Sequence, residues 1–169
     1  MKNCQGVVTG IVESGPDSEG RVQISYPWLK GMREYPQAPV ATPLAGRKRG
    51  MFVMPEKGDE VVVGFDKGDF NHPIILGFLW NGAQKPPESD PKIRVILTPG
   101  GHTLRFEDGE NAKKIILRSN AGHEITLDDA GTTVVVRLKG GGSINMTQNS
   151  LELQHGHKIT ITSQGIALA

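Results

Sequence analysis

Glu124-Ile125-Thr126-Leu127-Asp128-Asp129-Ala130-Gly131 is the stretch that decides the fold of this chain. Five residues alternate polar and apolar, and three turn formers then stop them. Period-2 alternation over so short a run marks a β-strand with one buried face, and Asp-Ala-Gly marks the corner after it. Working outward, the same phrase occurs eight times between residues 93 and 169. Its apolar pairs are Leu104/Phe106, Ile115/Leu117, Ile125/Leu127, Val134/Val136 (extended by Leu138), Ile144/Met146, Leu151/Leu153, Ile159/Ile161 and Ile166/Leu168. Their first members step by 11, 10, 9, 10, 7, 8 and 7 residues. The breaks between them include Asp108-Gly109, Asn120-Ala121-Gly122, Gly140-Gly141-Gly142, Gln148-Asn149 and Gln164-Gly165. No helical pattern intervenes, so the run predicts an elongated, repetitive β structure.

That run poses a physical problem. Each strand offers one narrow apolar stripe, while the opposite side carries Arg105, Glu107, Glu124, Thr126, Asp128, Arg137, Glu152 and Thr160. No second set of strands in the chain covers the stripe, and a lone sheet would expose it along with two open edges. The remedies are closure into a barrel or burial against identical copies about a symmetry axis. Steps of seven or eight residues leave little more than a strand and a corner. They favour an intertwined rod over a hairpin barrel, with the paired apolar residues facing its axis. An oligomer is expected.

The bulk properties narrow the classes. A chain of 169 residues has room for one or two domains. Nineteen basic against eighteen acidic residues leave a net charge of +1, which argues against a nucleic-acid partner. Twenty-two Gly and eleven Pro beside nine aromatics indicate a turn-rich β protein. Cys4 is the single cysteine and reads as an incidental thiol, excluding an internal disulfide framework. No apolar run approaches the ~20 residues of a membrane span, and no signal-peptide pattern is seen.

Residues 6–82 read as a separate unit. Strands are expected at 7–13, 21–26, 50–54, 60–65 and 73–80, with residues 35–44, interrupted by Pro36, Pro39 and Pro43, as an ordered loop. Five short strands without a helix fit a small closed barrel of the OB-fold type. Residues 83–92, with Pro86-Pro87 and Pro91, form a stiff linker. The expected chain is therefore all-β: an OB-fold over 1–82, a linker over 83–92, and a needle over 93–169 built with other copies of the chain.

Two stretches carry a family resemblance. Gly20-Arg21-Val22-Gln23-Ile24-Ser25-Tyr26-Pro27-Trp28-Leu29 resembles the GRV-x-V-x-aromatic-PW segment of spike proteins from contractile injection systems. Pro55-Glu56-Lys57-Gly58-Asp59-Glu60-Val61-Val62-Val63-Gly64-Phe65, then Gly68-Asp69, then Pro73-Ile74-Ile75-Leu76-Gly77-Phe78-Leu79-Trp80-Asn81-Gly82, is similar to a block of the OB-fold in phage baseplate assembly protein V and the VgrG-type spike. The resemblance implies a homotrimer. Its OB-folds would sit on the tail hub protein, and its C-terminal segments would wind into a triangular β-prism or β-helix. Sheath contraction would drive this spike through the outer membrane of a target cell. The implied location is the baseplate of a virion or injection particle, assembled in the producing cell's cytoplasm. The sequence lacks the family's large hub-like domain and its lysozyme domain, so a separate hub is expected and wall cleavage is not. The apolar end, Ile166, Leu168 and Ala169, is expected to meet a separate tip protein of the PAAR type.

Chemistry-bearing residues are few. His155 and His157 share parity with Leu153 and Ile159, so an unbroken strand points both at the buried face. Three chains would then gather six imidazoles, a set suited to an octahedral ion such as iron, and the pair is similar to the iron-binding apex of some phage spikes. A corner at Gly156 would turn the rings outward instead, and twelve residues still follow. His102 and His123 read as solvated. Arg47-Lys48-Arg49 reads as a solvated loop, with contact to an acidic hub surface as the rival. Asp128-Asp129 caps a turn, residues 69–72 form a loop, and Trp28 and Trp80 are expected in the core or a trimer contact. No catalytic set emerges, so an enzyme is not expected. The alternative to a spike is an OB-fold module binding single-stranded nucleic acid or oligosaccharide, disfavoured by charge and by the repeats.

Overall fold

The computed structural model describes residues 6–29, 31, 34–110 and 112–168, and the chain divides into two compact units, Met1–Lys85 and Pro86–Ala169. The first unit holds β1 (Val8–Val12), β2 (Arg21–Ser25), β3 (Gln37–Pro39), β4 (Ala45–Gly46), β5 (Arg49–Gly50), β6 (Glu60–Phe65) and β7 (Pro73–Phe78). Five of them form one sheet in the order β3-β2-β1-β6-β7. That sheet nearly closes on itself. Just beyond β3, Val40 bridges to Ile75 of β7, and the Ala41 amide donates to the Ile75 carbonyl at 2.8 Å.

Alternation sets the core of this OB-like barrel. Val22 and Ile24 of β2, Val61 and Val63 of β6, and Val12, Ala38 and Ile75 are all fully buried. Gly10 permits the tight curve. A Cβ there would lie 3.2 Å from the Ser25 carbonyl oxygen and 3.3 Å from a Val63 methyl, closer than a side chain sits comfortably. Tyr26, Phe65 and Phe70 pack at one end of the barrel, with Tyr26 and Phe70 centroids 5.1 Å apart.

Two sequence expectations fail here. Within residues 35–44, Gln37–Pro39 is a strand rather than loop. Ala38 takes the core position opposite Val22, and Pro39 is tolerated because β3 is the last strand of the ladder and needs no amide on its outer side. Residues 50–54 are not a barrel strand. Gly50 pairs in the short β4–β5 hairpin, which the Met51 amide extends by one bond to the Leu44 carbonyl, and Met51, Phe52 and Val53 are exposed. Consecutive apolar residues carry no alternation, and β3 already fills the seat.

The second unit is a single antiparallel meander of nine strands. They are β8 (Ile93–Leu97), β9 (Thr103–Gly109), β10 (Ala112–Arg118), β11 (Glu124–Asp128), β12 (Thr133–Arg137), β13 (Ser143–Met146), β14 (Ser150–His155), β15 (His157–Thr162) and β16 (Gly165–Leu168). Each pairs with its neighbours in the chain, so the sheet spans about 38 Å at ~4.8 Å per strand. Eight of the strands carry the apolar pairs read from the sequence. The ninth, β8, was hidden because Ile-Arg-Val-Ile-Leu puts apolar residues on both faces.

Candidate assembly surface

The register lines the apolar pairs into two rows running across the strands. One row joins Ile96, Leu104, Leu117, Ile125, Val136, Ile144, Leu153 and Ile159. The other begins at Arg94 and joins Phe106, Ile115, Leu127, Val134, Met146, Leu151, Ile161 and Ile166. Ile96 extends the first row by one strand beyond the sequence reading. The backbone of Leu168 lies opposite Ile159. The side chain of Leu168, Ala169 and Cys4 lie outside the described residues.

Exposure across this sheet is inverted. Leu117 is 51 % exposed, Leu127 41 %, Ile125 40 % and Ile166 71 %, while Lys114, Glu124, Thr126 and Asp128 on the other face are half-buried. That polar face is knitted by ion pairs. Lys114 meets Asp128 at 2.9 Å, Arg105 meets Glu107 at 2.8 Å and Glu88 at 3.0 Å, and Lys158 meets Glu152 at 2.9 Å. Glu124 is held by Arg118, with Arg137 at 3.9 Å. Hydrogen bonding from Arg118 keeps the Glu124 carboxyl below its usual range, against the opposing effect of burial. Lys114 does the same for Asp128, joined by the Gly131 amide, and Lys114 is itself raised by Asp128.

A repeat of two strands, which the one-strand reading of the sequence missed, organises one margin of the sheet. In the turns after β8, β10 and β12, the amides of Thr98, Ser119 and Leu138 donate to the carbonyls of His102, His123 and Gly142. Gly101, Gly122 and Gly141 take positive φ at the same place in each turn. In the first two turns a hydroxyl also accepts from the backbone, His102 amide to Thr98 Oγ1 and His123 amide to Ser119 Oγ, both at 3.1 Å. Each imidazole then straps the following turn. The Asn120 amide donates to His102 Nδ1 and the Lys139 amide to His123 Nδ1, both at 3.3 Å. The signal was present as Thr98…Gly101-His102 and Ser119…Gly122-His123, 21 residues apart.

The remaining candidates fall as follows. His155 and His157 lie directly opposite each other across Gly156, whose φ is +76°. Both line a hollow of about 480 Å³ with Val136, Leu138, Ile144 and Leu153, so the imidazoles share the apolar face. Neighbouring imidazoles are nitrogen donors of the kind that transition-metal ions take. No group of three or more metal-ligating side chains occurs among the described residues. In the barrel unit, Arg47-Lys48-Arg49 tips the β4–β5 hairpin, Lys48 at φ +59°, beside Leu44 and a 78 % exposed Phe52. Trp28 and Trp80 are exposed rather than in the core. Asp69 accepts from the Asn71 amide at 3.0 Å and faces His72 Nδ1 at 3.0 Å, a local loop arrangement.

Comparison with known proteins agrees with this division. Residues 4–80 match the type VI secretion system/phage-baseplate injector OB domain, and residues 93–153 match the phage baseplate V C-terminal trimerisation domain. Among curated relatives, the type VI secretion system spike protein VgrG3 of Vibrio cholerae is 28 % identical over 131 residues, covering 70 % of this chain and 13 % of its own length. The actin cross-linking toxin VgrG1 of Vibrio cholerae is 31 % identical over 115 residues, 61 % of this chain and 10 % of its own. The spike protein VgrG1b of Pseudomonas aeruginosa is 25 % identical over 131 residues, 69 % of this chain and 18 % of its own. The chain thus spans less than a fifth of the length of these relatives.

Proposed function

The chain belongs to the phage baseplate V/VgrG-type spike family of contractile injection systems, and from that premise we propose that it is the trimeric central spike that pierces a target envelope when the sheath contracts. The observation that carries this reading is the inverted sheet. A single chain leaves Ile115, Leu117, Ile125 and Leu127 each at least 40 % exposed, and nothing among the described residues covers them further. Burying the rest of each such side chain contributes about 1 kcal/mol, repeated along both rows and in all three copies. Three sheets facing one axis make a prism whose core is apolar and whose outside is the ion-paired face. Such a body is stiff across its whole length, which is what puncture demands.

In this reading the two apolar rows form the axis core. The basic-tipped arm with Phe52 faces the hub, whose acidic surface it would match. The last strand meets a tip protein. His155 and His157 would hold an iron-class ion shared between copies, which would cross-link the chains one hairpin short of the end.

Native mass spectrometry of the purified chain tests the assignment. A trimer is expected, with added metal mass that is lost in His155→Ala/His157→Ala. Ile125→Asp/Leu127→Asp places unpaired charge on the axis at a cost of several kcal/mol per copy, and should yield monomers. A trimer that survives this double change overturns the axial assignment.

A further inference from the structure

Outside its two apolar rows, the apolar face ends in a polar margin on each side. His102 and His123 stand on one margin, immediately before β9 and β11. Asp108 and Asp129 stand on the other, at the far ends of the same two strands. The ladder runs on through all four. Thr98 and Ser119 amides donate to the histidine carbonyls, Asp108 is registered opposite Lys113, and the Asp129 amide donates to the Lys113 carbonyl. Each histidine therefore precedes its aspartate by six residues. An even spacing puts both on the same face but about 20 Å apart along the strand. They cannot meet within one chain. The residue types at the two ends also change together. At β13 Gly142 replaces the histidine, and Gln148, six residues on, replaces the aspartate.

The ring chemistry adds a second constraint. Backbone amides occupy Nδ1 of both His102 and His123, so the ring proton of each neutral imidazole sits on Nε2. Neither Nε2 has an acceptor among the described residues. Asp129 forms no ion pair among the described residues, and Asp108, paired with Arg94, keeps acceptor capacity on its carboxylate.

We propose that the corners between copies are closed by hydrogen bonds from His102 and His123 of one copy to Asp108 and Asp129 of the next. The inference rests on the threefold reading above. Rotation about an axis that runs across the strands brings each strand level with itself in the next copy. The entry of β9 then faces the neighbour's exit from β9, and β11 behaves likewise. These contacts fix the axial register that the apolar rows, repetitive along their length, leave free to slip.

Site-directed crosslinking tests this in the full chain carrying Cys4→Ser. His123→Cys/Asp129→Cys treated with a short bis-maleimide should run mostly as a covalent trimer under denaturing conditions, because every corner then offers one thiol from each neighbour. His123→Cys/Gln164→Cys, whose thiols lie several strands apart, should give no more crosslink than either single-cysteine variant. Light scattering on the uncrosslinked protein separates the two hypotheses. A trimer in which the level pair fails to link, or links no better than the offset pair, overturns the corner assignment and leaves the threefold reading standing. A monomeric parent overturns both. Should the cysteine pair itself not assemble, the exchange His123→Asp/Asp129→His decides. Assembly at least tenfold tighter than that of Asp129→His alone supports the contact, and equal loss in both refutes it.

Discussion

The barrel and the sheet are written in the same alternating pattern and end in opposite states. Val61 and Val63 in β6 are 0 % exposed, whereas Ile125 and Leu127 in β11, at the same two-residue spacing, are 40 % and 41 % exposed. Strand chemistry does not separate them; closure does. The barrel ladder shifts register between Val62 and Val63, which bends the strand, and Gly10 lets β1 approach its neighbours. Five strands then return on themselves through Val40 and Ile75. The nine-strand ladder shows no register shift among its described pairs, and its first and last strands do not pair. A sheet that never returns on itself must take its second layer from elsewhere.

The comparison breaks most sharply at the core positions. Against the loss of trimer expected from Ile125→Asp/Leu127→Asp, Ile75→Ala in the barrel should cost about 2–5 kcal/mol of barrel stability through the cavity it leaves. It should leave the oligomer intact, because Ile75 packs wholly within its own unit. Thermal unfolding together with light scattering distinguishes the two. Dissociation caused by Ile75→Ala would mean that the units are not energetically separate.

Acid sharpens the contrast on the polar face. Asp128 and Glu124 have carboxyls held below their ordinary values by Lys114 and Arg118 respectively. A depressed carboxylate stabilises the fold above its unfolded pKa, about 4, and that contribution is lost as pH falls through the lower folded value. Lys114 is raised, so its share is present below the ordinary lysine value, about 10.4, and is lost as pH rises through the raised one. Stability of the sheet should therefore fall at both extremes. Asp128→Asn should flatten part of both limbs in pH-dependent melting; an unchanged profile would remove the pair from the account.

Most of the strand content was legible because each sheet strand states its own alternation. β3 was not, since Gln37-Ala38-Pro39 contributes one small core residue between prolines and gains its place only by pairing with β2. β8 was hidden for the opposite reason, apolar residues on both faces. The two apolar rows follow from parity and from the pairing of each strand with its neighbours in the chain. The histidine margin does not. His102 and His123 read as solvated one turn at a time, and their role depends on hydrogen bonds to Asn120 and Lys139 in the next turn, 18 and 16 residues away. Such contacts exist only once the ladder has brought every second turn to one margin.

The smallest effect asks how much of that margin is side chain and how much is backbone. The turn after β12 supplies a natural control. Leu138 and Gly142 replace the hydroxyl and imidazole residues, yet the Leu138 amide still reaches the Gly142 carbonyl at 2.7 Å. The backbone turn therefore forms without either side chain. Ser119→Ala should keep the turn and remove the bond from the His123 amide to the hydroxyl, with the long 3.5 Å contact from that hydroxyl to the His123 carbonyl, a loss of about 1 kcal/mol. Amide exchange at His123 should quicken roughly fivefold, with the trimer unchanged. Wholesale fraying of β10 and β11 would instead mean that the hydroxyl nucleates the turn. In that case the glycine-rich turn after β12 would hold its shape by virtue of its neighbours in the ladder and not by its own sequence.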